Sequence, residues 1–379
     1  MDQCDVLIVG GGPAGSSLAW ALRNSELDML IMDKQNFPRN KICAGWITPE
    51  VIDELQIDID DYGTRHTLQP IHGFLVGQIK NSMNEVHYDG KPASYGIRRC
   101  EFDHYLLKRC HARLRLGESF DNLKVDGQYW IANDDIRTSL IVGAGGHFCP
   151  VARSYMAGSK NNGRKVVAQE SEFKLAPEQM TECKASPDIP ELYFCEDLKG
   201  YGWVFRKGEY INIGLGRDDT HNLSGHVAAF CHYLQEQGRI PHQLAEKFNG
   251  HAYLLYEQST RPLVSDRMLL IGDAAGLAYT QSGEGIRPAI ESGLLAAKVI
   301  KEARGNYCRE NLNQYQDLIT QRFGKKKRES NTHIKLPAWF KMVLARKLLA
   351  TRWFTRKIVL NQWFLHTDQA PLADFQVQN

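Results

Sequence analysis

The chain has 379 residues, of which 43% are hydrophobic and 24% are charged, and its formal net charge is +2; this composition is ordinary for a globular protein with a large buried core. Its apolar runs are shorter than the ~18 residues of a membrane-spanning helix, and its acidic N-terminus does not resemble a secretory signal. The 9 cysteines contain no CxxC pair and indicate free thiols in a reducing compartment instead of a disulfide framework or a zinc site, so we expect a cytoplasmic α/β protein without a metal.

The N-terminal segment predicts a dinucleotide-binding βαβ unit. Residues 5–9 (DVLIV) form a short buried strand. The pattern G-x-G-x-x-G follows through Gly10, Gly12 and Gly15, then a helix-forming stretch, then a second strand that ends in Asp33. In this motif the first glycine permits the tight turn, the second lets the backbone approach a pyrophosphate, and the third allows close helix–strand packing. We expect the phosphates at the positive end of the helix dipole and the ribose hydroxyls on Asp33.

A second stretch, late in the chain, favours FAD over NAD. Residues 267–276 read as a strand that runs into a G-D-A-A-G turn, and an alanine-rich helix follows over residues 288–300. The carboxylate of Asp273 suits a ribityl hydroxyl. The positive end of the following helix would stabilise the negative charge of a reduced flavin.

At these residues the chain resembles the group of FAD-dependent oxidoreductases that includes geranylgeranyl reductases, aromatic-ring hydroxylases and flavin-dependent halogenases, and it looks most like the geranylgeranyl reductase family. Four further stretches carry the resemblance: residues 41–45 (KICAG), 99–103 (RCEFD), 140–146 (LIVGAGG) and 200–205 (GYGWVF). The resemblance implies that the first stretch lies beside the isoalloxazine ring and that Arg99 lies along the FAD. It also implies that the third forms a second FAD turn and the fourth belongs to a substrate domain.

The resemblance also implies the site residues. Cofactor-binding residues would be Gly10, Gly12, Pro13, Ala14, Gly15, Asp33, Lys34, Lys41, Cys43, Ala44, Arg99, Ala144, Gly145, Gly272, Asp273, Gly283, Gly285 and Ile286. Substrate-binding residues would be Tyr201, Trp203 and Phe205, which alternate on a strand and therefore share one face. They would form either an aromatic wall that guides a hydrophobic substrate or an ordinary sheet core.

Four positions depart from the family pattern. Gly145 replaces an aspartate of the second FAD turn, and Thr280 replaces a proline of the loop over the flavin. Arg206 replaces the proline after Phe205, and Ala44 replaces a glycine beside the cysteine. The first change removes one polar contact to FAD while the others remain. The last three lie near the expected reaction chamber, so they bear on the identity of the substrate.

Cys43 is the predicted catalytic residue, because the resemblance places it near the reactive face of the flavin. A thiol there could adjust the environment of the ring, or deliver a proton if Lys41 and Arg39 lower its pKa. The alternative is that Cys43 only fills a small gap under the ring.

Arg287 is a cation near the start of the last predicted helix, where the helix dipole disfavours positive charge. This position predicts an anionic partner, which could be Glu284, Glu291 or a substrate phosphate. A plain i,i+4 pair with Glu291 is the simplest of these.

Short alternating strands in the middle of the chain predict a sheet inserted into the dinucleotide domain. We therefore expect an α/β fold with a discontinuous Rossmann-like FAD-binding domain, an antiparallel-sheet substrate domain and a helical C-terminal tail. The expected boundaries are 1–70, 96–158 and 260–305 for the FAD-binding domain, 71–95 and 159–259 for the substrate domain, and 306–379 for the tail.

The tail is both basic and aromatic. From Arg322 to Lys357 it holds twelve basic residues and one acid, Glu329, interleaved with tryptophan, phenylalanine and leucine. Helices of this kind suit an anionic membrane surface; the alternative is a helical cap on the substrate domain with solvated lysines. Nothing around the tail resembles a nucleic-acid-binding fold. We expect peripheral membrane contact, no nucleic-acid partner and a monomer.

The predicted function is that of an FAD-dependent oxidoreductase that reduces carbon–carbon double bonds of a lipophilic, isoprenoid-type substrate by hydride transfer from reduced flavin. A second complete G-x-G-x-x-G motif is missing, so NAD(P)H would be a transient electron donor without its own Rossmann domain. One alternative is a flavin monooxygenase that hydroxylates an aromatic or lipid substrate. An alternative of another class is a non-catalytic redox sensor or lipid-binding flavoprotein.

Overall fold

The computed structural model describes residues 1–156, 165–219, 221–243, 247–326 and 337–372. The chain divides into two compact units. Unit 1 consists of Met1–Asn40, Cys100–Arg164 and Tyr253–Glu329, and unit 2 consists of Lys41–Arg99, Lys165–Ala252 and Ser330–Asn379.

The strands in chain order are β1 (Asp2–Val9), β2 (Met29–Asp33), β3 (Trp46–Ile47), β4 (Leu68–Ile71), β5 (Gly73–Gln78), β6 (Met83–His87), β7 (Ser94–Ile97), β8 (Arg113–Leu116), β9 (Leu123–Asp126), β10 (Tyr129–Ala132), β11 (Ile136–Gly143), β12 (Lys165–Lys174), β13 (Glu191–Phe194), β14 (Gly200–Lys207), β15 (Tyr210–Arg217), β16 (Asn249–Leu254), β17 (Val264–Ser265) and β18 (Met268–Leu270).

The α-helices are α1 (Pro13–Leu22), α2 (Pro49–Glu54), α3 (Ile59–Arg65), α4 (Arg99–Lys108), α5 (Pro150–Tyr155), α6 (Pro177–Glu182), α7 (Leu223–Glu236), α8 (Ile286–Ala303), α9 (Arg309–Leu312), α10 (Gln314–Phe323), α11 (Ala338–Leu349) and α12 (Arg352–Phe354). Short 3₁₀ helices span Tyr256–Gln258 and Gly272–Ala274, and a π-helix spans Thr355–Phe364.

Unit 1 is built on an 8-stranded sheet whose main order is β17-β18-β11-β1-β2-β8. Strand β10 also pairs with β11, and β9 pairs with β10, as a branch of this sheet. Strand β1 lies at its centre and pairs in parallel with β11 and with β2. Val6, Leu7 and Ile8 are fully buried, as expected for a parallel strand covered on both faces. Helix α8 packs closely on α1 because Gly293 has no Cβ, which would lie 2.5 Å from the carbonyl oxygen of Ala14. The predicted Rossmann-like architecture is confirmed.

Unit 2 contains a 7-stranded sheet in the order β16-β12-β15-β14-β13-β5-β6 and a 3-stranded sheet in the order β3-β7-β4. In the larger sheet β12–β15, β15–β14, β14–β13 and β5–β6 are antiparallel pairs. Strands β13 and β5 instead run parallel, so the larger sheet is mixed, whereas the 3-stranded sheet is antiparallel as predicted. The reason is that these two strands come from separate chain segments, so no tight hairpin turn constrains them to run in opposite directions.

The division of the chain differs most from the predicted boundaries in two places, and the other boundaries shift by four to seven residues. Residues 41–70, which the sequence assigned to the FAD-binding domain, belong to unit 2, because β3 and β4 both pair with β7. The tail is helical as predicted, but it is not a separate region. Helices α9 and α10 belong to unit 1, whereas α11 and the π-helix belong to unit 2, where Leu349, Leu360 and Phe364 join the apolar core.

Candidate active site

The glycine loop between β1 and α1 packs closely against the neighbouring backbone. Gly10 has a φ of +119°, and a Cβ there would lie 2.5 Å from the backbone of Ala144. A Cβ on Gly15 would overlap the carbonyl oxygen of Gly10. These positions therefore require glycine for the ends of β1 and β11 and the start of α1 to approach one another. Within the described residues no side chain caps α1 and its first turn holds no acid, so its N–H groups are available to an anion.

Asp33 lies beside this loop at the end of β2. Its Oδ2 accepts a hydrogen bond from the backbone N–H of Gly11 at 2.8 Å, and its Oδ1 accepts one from the N–H of Gln35 at 2.9 Å. The carboxylate is thus held in a fixed orientation with lone pairs to spare, as hydrogen bonding to ribose hydroxyls requires. Lys34, the next predicted cofactor residue, is exposed.

Arg39 also lies against the glycine loop, although the sequence did not identify it as a cofactor residue. Its Nη2 lies 3.3 Å from the position that a Cβ on Gly12 would occupy. It forms an ion pair at 3.3 Å with Asp103, whose side chain is fully buried. A guanidinium group in this position suits a pyrophosphate. No local spacing relates Arg39 to the loop, so sequence motifs gave no signal for it.

The Gly-Asp turn after β18 meets the start of α8. Gly272 begins a 3₁₀ helix with a φ of +57°. The Oδ1 atom of Asp273 lies 3.1 Å from the position of a Cβ on Gly285, the residue that precedes α8. Gly283 has a φ of +69°, and a Cβ there would overlap the hydroxyl of Tyr253. The predicted residues of this turn are therefore brought together at the N-terminus of α8, next to the buried Ile286.

Arg261 holds this turn in place, and sequence reasoning missed it. The side chain is buried and donates from Nη1 to the carbonyl oxygens of Asp273 at 3.1 Å and Ala274 at 2.9 Å. Its Nη2 donates to the carbonyl oxygen of His147 at 2.8 Å. One guanidinium group therefore ties the Gly-Asp turn to the loop that follows Gly145.

In unit 2, the backbone of Cys43 is held on both sides by buried side chains. Its N–H donates to Glu170 Oε1 at 2.5 Å, and its carbonyl oxygen accepts from Asn212 Nδ2 at 3.1 Å. Asn212 Oδ1 accepts in turn from the indole N–H of Trp203 at 2.8 Å. The thiol is partly exposed, and its sulfur accepts from the N–H of Gly45 at 3.4 Å.

Charged side chains are buried around this segment. Lys207 is 1% exposed and donates from Nζ to Glu172 Oε2 at 2.7 Å, and Arg98 Nε donates to Glu172 Oε1 at 3.1 Å. A Cβ on Gly45 would overlap the Lys207 ammonium group and the carbonyl oxygen of Ile97. The glycine of the KICAG motif therefore brings the cysteine segment against this charge cluster.

Comparisons with known proteins agree with this arrangement. The profile of the NAD(P)-binding Rossmann-like domain matches residues 8–68. The digeranylgeranylglycerophospholipid reductase of Thermoplasma acidophilum is 26% identical over 347 residues, which cover 86% of this chain and 85% of the relative. The chain belongs to the superfamily of FAD-dependent oxidoreductases that contains the geranylgeranyl reductases.

Solved structures show the same fold for this oxidoreductase. A geranylgeranyl bacteriochlorophyll reductase-like protein from Thermoplasma acidophilum has a TM-score of 0.75 and 20% identity, with coverage of 97% of this chain and 98% of its own. A halogenase solved in complex with FAD has a TM-score of 0.71 and 15% identity, with coverage of 100% of this chain and 84% of its own. At these identities the structures establish the fold, which reductases and halogenases share.

The unit 1 residues of the oxidoreductase fit FAD. The glycine loop, the uncapped start of α1 and Arg39 suit a pyrophosphate, and Asp33 suits a ribose. Asp273 beside the start of α8 suits the ribityl chain and the ring. Gly145 has no side chain and so, as the sequence indicated, it supplies no carboxylate contact to FAD. It lies against Cys149. Four other predicted cofactor residues, Lys41, Cys43, Ala44 and Arg99, belong to unit 2, and their contact with FAD stays a prediction.

The aromatic residues of β14 in the oxidoreductase differ in how deeply they are buried. Tyr201 and Trp203 share one face, as predicted, with ring centroids 5.9 Å apart. Phe205 is 1% exposed and stacks on Trp46 at 5.8 Å, and Trp203, 7% exposed, belongs to the same buried apolar cluster. Tyr201 keeps partly exposed surface and contacts Phe364 of the π-helix at 5.3 Å.

The sequence did not identify the groups that hold the Cys43 backbone. Arg39 is engaged by Asp103, and the Nζ atom of Lys41 lies 3.2 Å from Nε2 of His251. The groups that hold the Cys43 backbone are Glu170 and Asn212, and an effect of Lys41 or Arg39 on the thiol stays a prediction. They come from distant strands, which explains why sequence proximity did not find them.

The predicted i,i+4 pair in α8 is confirmed, and it is part of a larger buried cluster. Arg287 Nε donates to Glu291 Oε1 at 2.8 Å, and Arg287 also donates its backbone N–H to Glu284 Oε1 at 2.7 Å. Burial raises the pKa of Glu284 to about 7. The second arginine on Glu291 is Arg322 of α10, which is fully buried. Arg322, counted among the basic tail residues in the sequence, is therefore not available to a membrane surface.

Proposed function

We propose that this oxidoreductase reduces carbon–carbon double bonds of a lipophilic, isoprenoid-type substrate. The observation that carries the proposal is a hydrogen-bonded connection within unit 2. It joins residues 41–45 and residues 200–205, two of the stretches that resemble the reductases. Asn212 accepts from Trp203 of the aromatic strand and donates to the carbonyl oxygen of Cys43. The similarity to a digeranylgeranylglycerophospholipid reductase over most of the chain supports a substrate with isoprenoid chains.

The reduction adds a hydride to one alkene carbon and a proton to the other. Bound FAD, when reduced, supplies the hydride. The task of the chain is to orient the lipid, to exclude water and to deliver the proton. Cys43 is the proposed donor: its sulfur already accepts from Gly45 N–H, which leaves its own S–H free to point toward an acceptor. Tyr201 is the proposed aromatic contact for the lipid.

The test is an anaerobic reaction of the purified flavoprotein. The flavin is reduced chemically, a geranylgeranyl-type lipid is added, and flavin absorbance and lipid mass are followed. Reoxidation without oxygen, with two hydrogens gained per reduced double bond, supports the reductase. A flavin that stays reduced until oxygen enters, followed by a lipid or aromatic product that gains an oxygen atom, would instead establish the monooxygenase. No turnover with any donor would favour the sensor or lipid-binding alternative.

Two cysteine variants test the proton donor. Cys43→Ser is expected to slow the reduction while the bound flavin remains. Cys308→Ser is the matched control, since Cys308 is also a partly exposed free thiol. Equal turnover of both variants would remove Cys43 from the mechanism. NADPH and NADH are tested in the same assay as the proposed transient electron donors, by bleaching of the oxidised flavin.

We also propose that α11 and the residue Trp353 rest on an anionic membrane surface. Apolar side chains are exposed here, with Trp339 at 64% and Trp353 at 67%. The exposed set is Trp339, Phe340, Met342, Val343, Leu344 and Trp353. Residues 337–367 contain six lysines and arginines and no acid, so the charge complements anionic lipid. In the described part of the chain no helix is both long and apolar enough to cross a bilayer, so the contact would be peripheral.

The rest of the tail does not contribute to this surface. In the π-helix Val359, Leu360 and Phe364 are buried, as the alternative of a packed helical cap predicts. The tail residues Lys327, Arg328, Glu329 and Lys335 and the side chain of Lys341 lie outside the described residues. The proposal is therefore confined to α11 and Trp353.

Co-sedimentation with vesicles tests the membrane proposal. The wild type is expected to bind vesicles that contain phosphatidylglycerol, to bind phosphatidylcholine vesicles weakly, and to be released by salt. Trp339→Ser with Leu344→Ser should abolish binding. The control is Leu114→Ser with Val125→Ser, which removes two exposed apolar side chains elsewhere. Equal binding of the two double variants would overturn the proposal.

A further inference from the structure

Glu284 is a titratable residue at the start of α8 that the proposed mechanism does not use. It stands between Gly283 and Gly285, two of the predicted cofactor residues, and Gly285 directly precedes the helix. The Oε1 atom of Glu284 accepts the backbone N–H of Arg287, in the first turn of α8, at 2.7 Å. A carboxyl group therefore already binds the positive end of the helix that the sequence assigned to the reduced flavin.

The two carboxyl oxygens of Glu284 differ in their surroundings. Oε1 accepts from the end of the helix, whereas Oε2 is buried and has no hydrogen-bond partner among the described atoms. Ionisation therefore places negative charge on an oxygen that nothing in the described structure solvates. Burial accordingly raises the pKa of Glu284 to about 7. The group can gain or lose a proton near neutral pH while Oε1 keeps its contact with the helix.

A cluster of buried charged residues adjoins Glu284. Arg287 and Arg322 both bind Glu291, so these three residues carry one excess positive charge (two cations and one anion). Arg287 favours the ionised form of Glu284, and Glu291 disfavours it. Tyr279 is also buried and stays neutral, because burial raises its pKa. The cluster and Glu284 together carry one positive charge when Glu284 is neutral and no net charge when Glu284 is ionised.

The glycines on either side of Glu284 bring it close to the proposed cofactor position. The Oδ1 atom of Asp273, which suits the ribityl chain, lies 3.1 Å from the position of a Cβ on Gly285. The hydroxyl of Tyr253 lies where a Cβ on Gly283 would be. A flavin ring held by this turn would therefore lie within range of the charge on Glu284, because a buried charge is weakly screened.

We propose that Glu284 is a positioning residue that sets the reduction potential of bound FAD through the net charge at the N-terminus of α8. Reduction brings two electrons and one proton to the flavin, which leaves one added negative charge. A neutral Glu284 leaves the excess positive charge of the cluster to stabilise that added charge, and an ionised Glu284 cancels it. By linkage, reduction of the flavin favours uptake of a proton from solvent by Glu284. The proposal rests on FAD binding and not on the identity of the substrate.

The test is the reduction potential of the flavoprotein at about pH 6 and about pH 8.5. The flavin and a reference dye of known potential are reduced together without oxygen, and both are followed by absorbance. Glu284→Gln mimics the neutral carboxyl at every pH and keeps an oxygen for the Arg287 N–H. At about pH 8.5 the variant should favour the reduced flavin at least about tenfold more than the wild type, or ~30 mV for a two-electron couple. At about pH 6 the two proteins should agree within about twofold.

Two further variants complete the experiment. Glu284→Asp keeps an ionisable carboxyl group and should keep the steeper fall of the wild-type potential with pH. Glu302→Gln makes the same substitution at the exposed end of the same helix and should leave the potential unchanged at both pH values. Flavin content and melting temperature, measured on each variant, show that the compared proteins are folded and loaded.

Three results would contradict the proposal. Equal potentials of Glu284→Gln and the wild type at about pH 8.5 would mean that the charge does not reach the flavin. A shift of the same size at both pH values would mean that Glu284 acts through the shape of the turn. Loss of flavin from Glu284→Gln at about pH 6 would mean the same, because the wild-type carboxyl is neutral there. The measurement needs no lipid, so a negative lipid assay would refute the reductase function and leave this result intact.

Discussion

Arg322 Nε donates to Glu291 Oε2 at 2.8 Å in a site where both side chains are fully buried. Glu291 binds Arg287 at the same time, so one carboxylate neutralises part of the charge of two guanidinium groups. The contact ties α10, from the part of the chain predicted as a separate tail, to α8 of the FAD-binding unit. A charge network of this kind is costly to break, because the remaining ions cannot reach water.

We expect Glu291→Gln to destabilise the protein strongly. The amide keeps the shape of the side chain but removes the buried negative charge that Arg287 and Arg322 share, which costs about 3–5 kcal/mol. Chemical denaturation measures the loss. Glu302→Gln, on the exposed part of the same helix, should change the free energy of unfolding by less than about 0.5 kcal/mol. Similar losses in the two variants would mean that the cluster contributes no specific stability.

Two glycines of the nucleotide loop should differ in what they control. Gly12 has a φ of −74°, which any residue adopts, and a Cβ there meets the flexible end of Arg39 at 3.3 Å. Gly12→Ala should therefore leave the fold intact but weaken FAD binding at least about tenfold, or ~1.4 kcal/mol. Gly15→Ala would overlap a backbone carbonyl oxygen and should destabilise the apoprotein itself. Flavin content and apoprotein melting temperature separate the two effects; a fall in apoprotein stability for Gly12→Ala would contradict this assignment.

Asp33→Ala should reduce FAD affinity by roughly 10- to 100-fold, since it removes the acceptor of Gly11 N–H as well as the expected ribose contact. Fluorescence titration of the apoprotein with FAD gives the dissociation constant. Asp121→Ala, at an exposed acid, is the control. Unchanged affinity in Asp33→Ala would show that the ribose binds elsewhere.

Glu170 should also make stability depend on pH. Burial raises its pKa from 4.5 to about 7 in the folded protein, so between these pH values the folded protein keeps a proton that the unfolded chain releases. The stability contributed by the group is present below about pH 4.5 and falls as the pH rises to about 7, by about 3 kcal/mol. Glu170→Gln cannot ionise and loses this dependence.

The measurement is the difference in the free energy of unfolding between Glu170→Gln and the wild type at about pH 4.5 and pH 8. It should shift in favour of the variant at the higher pH. Other titrating groups, such as Glu284, are present in both proteins and cancel in the difference. A difference that is the same at both pH values would mean that Glu170 is ionised equally in the folded and unfolded states.

The sequence by itself determined the dinucleotide unit and the superfamily. Gly10, Gly12, Gly15 and Asp33 lie in one short segment, so their spacing along a strand, a turn and a helix already fixes their relative positions. The pair Arg287–Glu291 was predictable for the same reason, because one helical turn separates the two residues. In each case the geometry is local, and the periodicity of a helix or strand is sufficient to define it.

The tertiary structure alone decided which groups surround Cys43 and which part of the tail is exposed. Glu170 and Asn212 reach Cys43 because β12 and β15 pair in one register, and a shift of one residue would turn Glu170 to the opposite face of the sheet. Arg322 and Phe364 became core residues through contacts with elements far away in the chain, while Trp339 stayed exposed. The amino-acid composition of the tail does not distinguish a helix packed in the core from a helix that docks on a surface. Long-range packing determines which apolar side chains lose contact with water.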